Sequence, residues 1–136
     1  MMNEIKLKAL TTNLQEVLSF VDGHLEDMDA SEKVRMQVDV AVEELFVNIA
    51  KYAYASGEGM ATISVDKDKE NKQIIITFAD NGKPYNPLKN SNPDITLSSE
   101  ERSIGGLGIF IVKKCMDDMR YEYKDNQNIL TITKKL

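Results

Sequence analysis

The chain predicts an α+β domain, a two-layer α/β sandwich in which three helices cover one face of a mixed, mainly antiparallel sheet. Three observations carry this. Apolar residues recur at helical spacing in three stretches, and they alternate with polar residues in five others. The order of these stretches is β-α-α-β-β-loop-α-β-β. The length of 136 residues suits one domain, taken as 1–136.

Ile5, Leu7 and Ala9 alternate with Glu4, Lys6 and Lys8, which reads as a first, half-exposed strand. Thr11 or Thr12 is placed to cap a helix running to about Met28, with Leu14, Val17, Leu18, Val21 and Leu25 on one stripe. Ser31, followed by Lys33 and Val34, starts a second helix that runs to about Tyr54, where Gly57 and Gly59 stop it. Residues 60–67 and 72–79 read as paired strands around a charged turn, Lys69-Glu70-Asn71. Residues 81–104 hold all three prolines with many Asn and Ser residues, a long loop of the kind that small domains keep for function. Residues 106–118 form a third helix. Residues 119–124 and 128–134 close the chain as a hairpin around Asp125-Asn126-Gln127.

Composition narrows the function classes. A hydrophobic content of 42% supplies an ordinary core, and 29% charged residues at a net charge of −5 argue against both disorder and nonspecific binding to nucleic acid. An acidic chain can still attract a basic protein partner. The single cysteine, Cys115, cannot form an internal disulfide, which fits a reducing, cytoplasmic setting. No apolar run approaches membrane-spanning length, and the N-terminus lacks the layout of a signal peptide.

Three groups of residues carry chemistry. On the second helix, at about 100° per residue, Val34, Val38, Ala41, Val42, Leu45 and Ile49 share an apolar arc, with Val40 and Val47 on the other side of Glu44. Glu44 thus sits inside a wide apolar arc, with Asn48 one turn on, and Gln37 and Lys51 extend the same polar seam. Glu43 points roughly opposite, to solvent. A surface seam with i,i+4 contacts would explain the pattern. So would a site in which the Asn48 amide oxygen holds Mg²⁺ and Glu44 orients or deprotonates a nucleophile. Mg²⁺ takes few protein oxygens beside water and phosphate.

Asp80 continues the strand parity of Ile74, Ile76 and Phe78, so it faces the core, and Gly82 leaves room for a flat ligand. A carboxylate there can accept the exocyclic amine of adenine. Taken alone the residues read as an ordinary Asp-Asn-Gly turn, but their position before a long Pro-containing loop and a second glycine cluster favours the site. The third group is Gly105-Gly106-Leu107-Gly108, where three of seven glycines open a helix. Glycines weaken a helix, but at its start they let the backbone approach phosphates held by free N–H groups. No Gly-Lys-Ser/Thr follows, so this is not a Walker loop. Nor does a strand run straight into it, as a dinucleotide fingerprint requires. Arg102 lies just outside the glycines, either as a solvated charge beside Glu100 and Glu101 or as a contact to a terminal phosphate.

Glu44-x-x-x-Asn48, Asp80-x-Gly82-x-Pro84 and Gly105-Gly106-x-Gly108 resemble the three boxes of the gyrase, Hsp90 and histidine-kinase ATPase superfamily, whose fold is the Bergerat sandwich. The resemblance covers nearly the whole chain. It looks most like the small anti-sigma-factor serine kinases, through Glu101-Arg102-Ser103 before the glycines and Met116-Asp117-Asp118-Met119 after the helix. The resemblance implies ATP with Mg²⁺ between helices and sheet, under a lid at 86–104. It implies transfer of the γ-phosphate to a serine on a small antagonist protein, sequestration of a sigma factor or other regulator, and a homodimer. By family role Glu44 is the base, Asn48 the Mg²⁺ ligand, Asp80 the adenine acceptor and Arg102 a lid contact. Lys51, Gly82, Pro84, Gly105, Gly106, Leu107 and Gly108 complete the nucleotide-binding set. Tyr52 departs from the histidine many relatives carry, and Asn128-Ile129 stands where a Gly-Thr pair often begins the last strand. A binding module that sequesters a partner without phosphorylating it is the alternative. A catalytic domain detached from a sensor kinase is the weaker third, since the only histidine, His24, sits at the end of the first helix.

Overall fold

The structure is a computed structural model that describes residues 2–54, 58–89 and 106–136. Its elements follow the expected order: β1 (Met2–Lys8), α1 (Leu14–Asp27), α2 (Glu32–Asn48), β2 (Met60–Asp68), β3 (Gln73–Asp80), α3 (Gly106–Cys115), β4 (Asp118–Lys124) and β5 (Gln127–Lys135). The strands form one sheet in the order β1-β2-β3-β5-β4, and every pairing in it is antiparallel rather than mixed. Helix α3 follows β3 in the chain and precedes β4, and β3 pairs antiparallel with β5, so no parallel crossover arises.

Alternation decides which sheet face the helices cover. Ala61, Ile63 and Val65 on β2, Ile74, Ile76 and Phe78 on β3, and Leu130 and Ile132 on β5 are buried. They meet Val17, Val21 and Leu25 of α1, Val38, Val42, Leu45 and Phe46 of α2, and Ile109 and Val112 of α3 in one core. Each of the Val, Leu, Ile and Phe side chains among them contributes about 1.5–3 kcal/mol by leaving water. The intervening positions, such as Thr62, Thr77 and Thr131, lie half-buried on the opposite face.

Local chemistry sets the ends. Ser31 caps α2 as expected, its hydroxyl accepting from the Val34 N–H at 3.2 Å. Thr11 and Thr12 do not cap α1: they form a 3₁₀ turn with Asn13, and no side chain caps it. Helix α2 does not run on to Tyr54 as a regular helix. It passes after Asn48 into a π turn, Ile49–Ala53. Helix α3 stops at Cys115, before the expected 118, because the Asp117 N–H already bonds the Thr133 carbonyl and joins the sheet. In the last hairpin Asp125 and Asn126 both have positive φ (54° and 63°), the geometry of a type I′ turn, which Asn and Asp tolerate. No helix among the described residues is long and apolar enough to cross a membrane.

The α1–α2 contact contains two facing carboxyls. Asp22 and Asp39 each bury one oxygen, Oδ1, that lacks a hydrogen-bond partner among the described residues. Burial, then the facing Asp22 carboxyl by hydrogen bond and repulsion, pushes Asp39 up to about 7, with Arg35 acting against it. Folding therefore favours the neutral acid. This contribution to stability is complete below the ordinary carboxylate range and is lost as pH rises from there towards 7. Asp39→Asn should melt higher than wild type at pH 8, with a smaller margin at pH 5. Parallel melting curves at the two pH values would remove the carboxyl pair from the explanation.

Candidate functional site

The site is built where β3 ends. Asp80 is the last residue of β3 and faces the helices by strand parity, 5% exposed. Its Oδ1 accepts from the Gly82 N–H at 2.9 Å and from Asn128 Nδ2 at 3.0 Å. Its Oδ2 has no hydrogen bond among the described residues. The chain turns sharply at Gly82, where a Cβ would overlap the Ala53 carbonyl, and the Lys83 N–H bonds that same carbonyl at 3.0 Å. The π turn after α2 is thus tied directly to the loop after β3. Tyr54 adds a second tie: its hydroxyl accepts from the Asn81 N–H at 2.9 Å and donates to the Met60 carbonyl.

A cavity of about 280 Å³ opens between these ties. Its walls are Leu45, Ile49 and Ala53 from α2 and the π turn, Phe78 and Leu130 from the sheet, and Ile109 from α3. Tyr52, Tyr85 and Tyr121 add aromatic surface, and Lys83 and Pro87 complete the rim. Three polar groups reach it from the elements already named: Asp80, Asn128 and Asn48. A largely apolar cavity with a few placed polar groups is the form a heterocyclic base requires. Burial pushes the Tyr54 and Tyr121 hydroxyls up, and the nearby Asp80 charge adds to this. Bonds from the backbone N–H groups of Asn81 and Tyr85 act against it. Both phenols stay neutral donors at ordinary pH.

The second-helix seam divides as its phase requires. Glu43 is exposed, while Glu44 is half-buried. The Glu44 carboxylate packs on the backbone of α3 at Gly108, where any Cβ would overlap it. Asn48, one turn on, lines the cavity, and its side chain makes no hydrogen bond among the described residues. One side of the arc assigned to Glu44 is open, however, because Val40 is 37% exposed. Lys51 is exposed and stands outside the cavity wall, as does Pro84.

Gly106 and Leu107 begin α3. Gly105, Arg102 and most of the segment assigned as a lid, from 90 on, lie outside the described residues. The described part, Asn86 to Lys89, forms a 3₁₀ turn capped by Asn86 Oδ1, which accepts from the Leu88 N–H at 2.9 Å.

Sequence reasoning did not count Asn128, Tyr54, Tyr121 or Tyr85 among the site residues. Asn128 had a visible signal: it shares parity with Leu130 and Ile132, so it too faces the helices. Among the described residues no cluster of three or more His, Cys, Asp or Glu side chains is arranged to hold a metal. A resident metal would need oxygens from elsewhere, and the Asn48 amide with nucleotide phosphates and water is a donor set that fits Mg²⁺.

The family model for the histidine kinase-like ATPase domain matches residues 7–134. The chain is 25% identical over 130 residues to the serine/threonine-protein kinase BtrW of Bordetella bronchiseptica, covering 95% of this chain and 90% of that one. It is 30% identical over 95 residues to the serine-protein kinase RsbW of Bacillus mycoides, covering 67% of this chain and 58% of that one. The RsbW of Listeria monocytogenes is 26% identical over 95 residues, and there the match spans 60% of the relative's length. In structure, the chain resembles the RsbU and RsbW domains of a Mycobacterium tuberculosis protein with a TM-score of 0.69 at 14% identity, over all of this chain and 32% of the other. The likeness in structure concerns the fold. Together with a family model that matches almost every residue, it agrees with the antiparallel sheet, the helix layer and the slot between them: the chain belongs to the histidine kinase-like ATPase domain family.

Proposed function

We propose that the chain is an ATP-dependent protein serine kinase of the anti-sigma-factor type, one that phosphorylates a small antagonist protein and sequesters a regulatory partner such as a sigma factor. The observation that carries the reading is one continuous cavity lined by both Asp80 and Asn48, with Glu44 one turn away against the start of α3. Asp80 Oδ2 would accept the adenine amine. The apolar walls would hold the ring, and the N–H groups opening α3 would take phosphate oxygens. Asn48 would hold Mg²⁺ by its amide oxygen, and the ion would offset phosphate charge when bound. Arg102 and the rest of the 86–104 segment would reach the γ-phosphate.

The transfer itself needs little protein chemistry. The serine Oγ bonds to the γ-phosphorus, the bond to the β,γ-bridging oxygen breaks, and ADP leaves with that oxygen. The hydroxyl proton passes to the Glu44 carboxylate. Positioning and charge neutralisation dominate such a reaction.

The test has two stages. Calorimetry should detect binding of ATP with Mg²⁺ at or below millimolar concentration, and its absence would end the nucleotide reading. A small protein captured with the chain should then gain phosphoserine with ATP and not with ADP. A captured antagonist that wild type never phosphorylates would establish the binding module instead.

A homodimer belongs to the same proposal. Strand β1 forms one edge of the sheet, and an edge carries backbone groups that a two-fold partner can pair. Sedimentation at tens of micromolar should give about twice the 15.3 kDa chain mass, and a single 15.3 kDa species would count against pairing.

A further inference from the structure

Asn128 is 7% exposed and sits directly across from Asp80 in the β3–β5 register. Its Nδ2 donates to Asp80 Oδ1 at 3.0 Å and to the Lys83 carbonyl at 2.9 Å, with the Gly82 carbonyl at 3.5 Å. Its Oδ1 accepts from the Tyr85 N–H at 3.0 Å and from the Tyr121 hydroxyl at 2.5 Å. The two amide hydrogens and both oxygen lone pairs are thus spent inside the protein. The orientation is forced, since reversing the amide would set its oxygen against a carboxylate and a carbonyl, and its NH₂ against the Tyr85 N–H.

We propose that Asn128 is the positioning residue that sets base specificity, acting through Asp80 and never touching the base, and that it ties this choice to the loop that walls the cavity. The inference rests on the nucleotide reading above. With Asn128 and the Gly82 N–H both on Oδ1, the Asp80 carboxylate cannot rotate without losing two hydrogen bonds. Oδ2 is then left as a pure acceptor at a fixed place. An acceptor there matches the amine of a 6-amino purine and meets the oxygen of a 6-oxo purine with repulsion.

The same amide grips the chain on both sides of Pro84, at Lys83 and at Tyr85. Those residues, with Pro87 just beyond, form the rim of the cavity. A serine or threonine at this position has one donor on a short side chain. It could serve Asp80 but could not also span Lys83 and Tyr85. Base choice and rim placement therefore share one side chain.

The experiment measures the affinity of ATP and of GTP, each with Mg²⁺, by calorimetry on wild type, Asn128→Ala, Asn128→Thr and Asn128→Asp, with circular dichroism to verify folding. Asn128→Ala should weaken ATP by about tenfold or more and GTP by much less, so that the preference for ATP collapses. Asn128→Thr should keep most of the preference while weakening both nucleotides, because Asp80 keeps a donor and the rim loses its grip. Asn128→Asp should bind ATP poorly at pH 8 and recover as pH falls, when the introduced carboxyl becomes a donor again.

A folded Asn128→Ala in which ATP and GTP weaken equally overturns the proposal, because a purely structural role lowers both alike. If Asn128→Ala does not fold, Asn128→Asp decides: an ATP-to-GTP ratio at pH 8 equal to that of wild type, with no recovery of ATP binding as pH falls, overturns the proposal. A wild type that binds no ATP overturns the nucleotide reading itself. A wild type that prefers ATP while folded Asn128→Ala and Asn128→Asp keep its ratio and its pH response overturns only the role of Asn128.

Discussion

Glu44→Gln should lower phosphotransfer to an antagonist serine by about 10²–10⁴-fold, the range for a general base, while ATP affinity stays within a few fold of wild type. The side chain's position explains the split. Its carboxylate packs on the Gly108 backbone, and glutamine has the same size, so the α2–α3 contact and the cavity beside it survive. What is lost is the group proposed to align the hydroxyl and take its proton. Asn48→Ala should behave differently, since Asn48 lines the cavity, and should damage Mg²⁺-dependent binding itself. Glu43→Gln is the control, as Glu43 is exposed on the far side of the helix. Single-turnover transfer measured beside calorimetry separates these cases. Equal losses in the Glu43 and Glu44 variants would mean that charge, not position, is responsible, and an unchanged rate in Glu44→Gln would end the base assignment.

Asp80→Asn should weaken ATP by roughly 1–3 kcal/mol, the cost of losing a hydrogen bond to a buried charged group. The network makes the direction unusually definite. The Oδ1 position receives two donors, the Gly82 N–H and Asn128 Nδ2, so the new amide will place its oxygen there. Its NH₂ must then take the place of Oδ2 and face the cavity. A donor now meets the adenine amine, which is also a donor, whereas the oxygen of a 6-oxo purine would be accommodated. GTP should therefore lose much less than ATP, or gain. Competition binding of the two nucleotides reads this directly, and equal weakening of both would place Asp80 outside the base contact.

Much of this site can be read along single elements. A period of two puts Asp80 on the core side of β3, because Ile74, Ile76 and Phe78 lead to it. A period of 3.6 separates Glu44 from Glu43 on α2, and burial agrees. Where the period itself changes, the reading stops. The π turn after Asn48 closes with longer hydrogen-bonded loops and winds fewer degrees per residue, so the phase of α2 does not extend to Lys51, which ends up exposed outside the cavity wall. Nothing in the local pattern announces that turn. Val40 shows the reverse error: apolar residues on both sides of Glu44 suggested an enclosed arc, but no element among the described residues covers the side where Val40 lies.

Asn128 marks the limit most clearly. Along the chain it is a polar residue at the start of a strand. Its meaning depends on the β3–β5 register, which brings together residues at opposite ends of the α3 insertion. It also depends on Tyr121 from β4 and on the backbone at Lys83 and Tyr85. The sequence by itself determined the α+β class, the element order, the two inward-facing carboxylates and the family, because periodicity and motif spacing are properties of one segment at a time. Only the tertiary structure decided the all-antiparallel sheet, the tie between the π turn and the Gly82 bend, and the amide that holds Asp80. Those are contacts between segments far apart in the chain, and their geometry exists only once the core has closed around them.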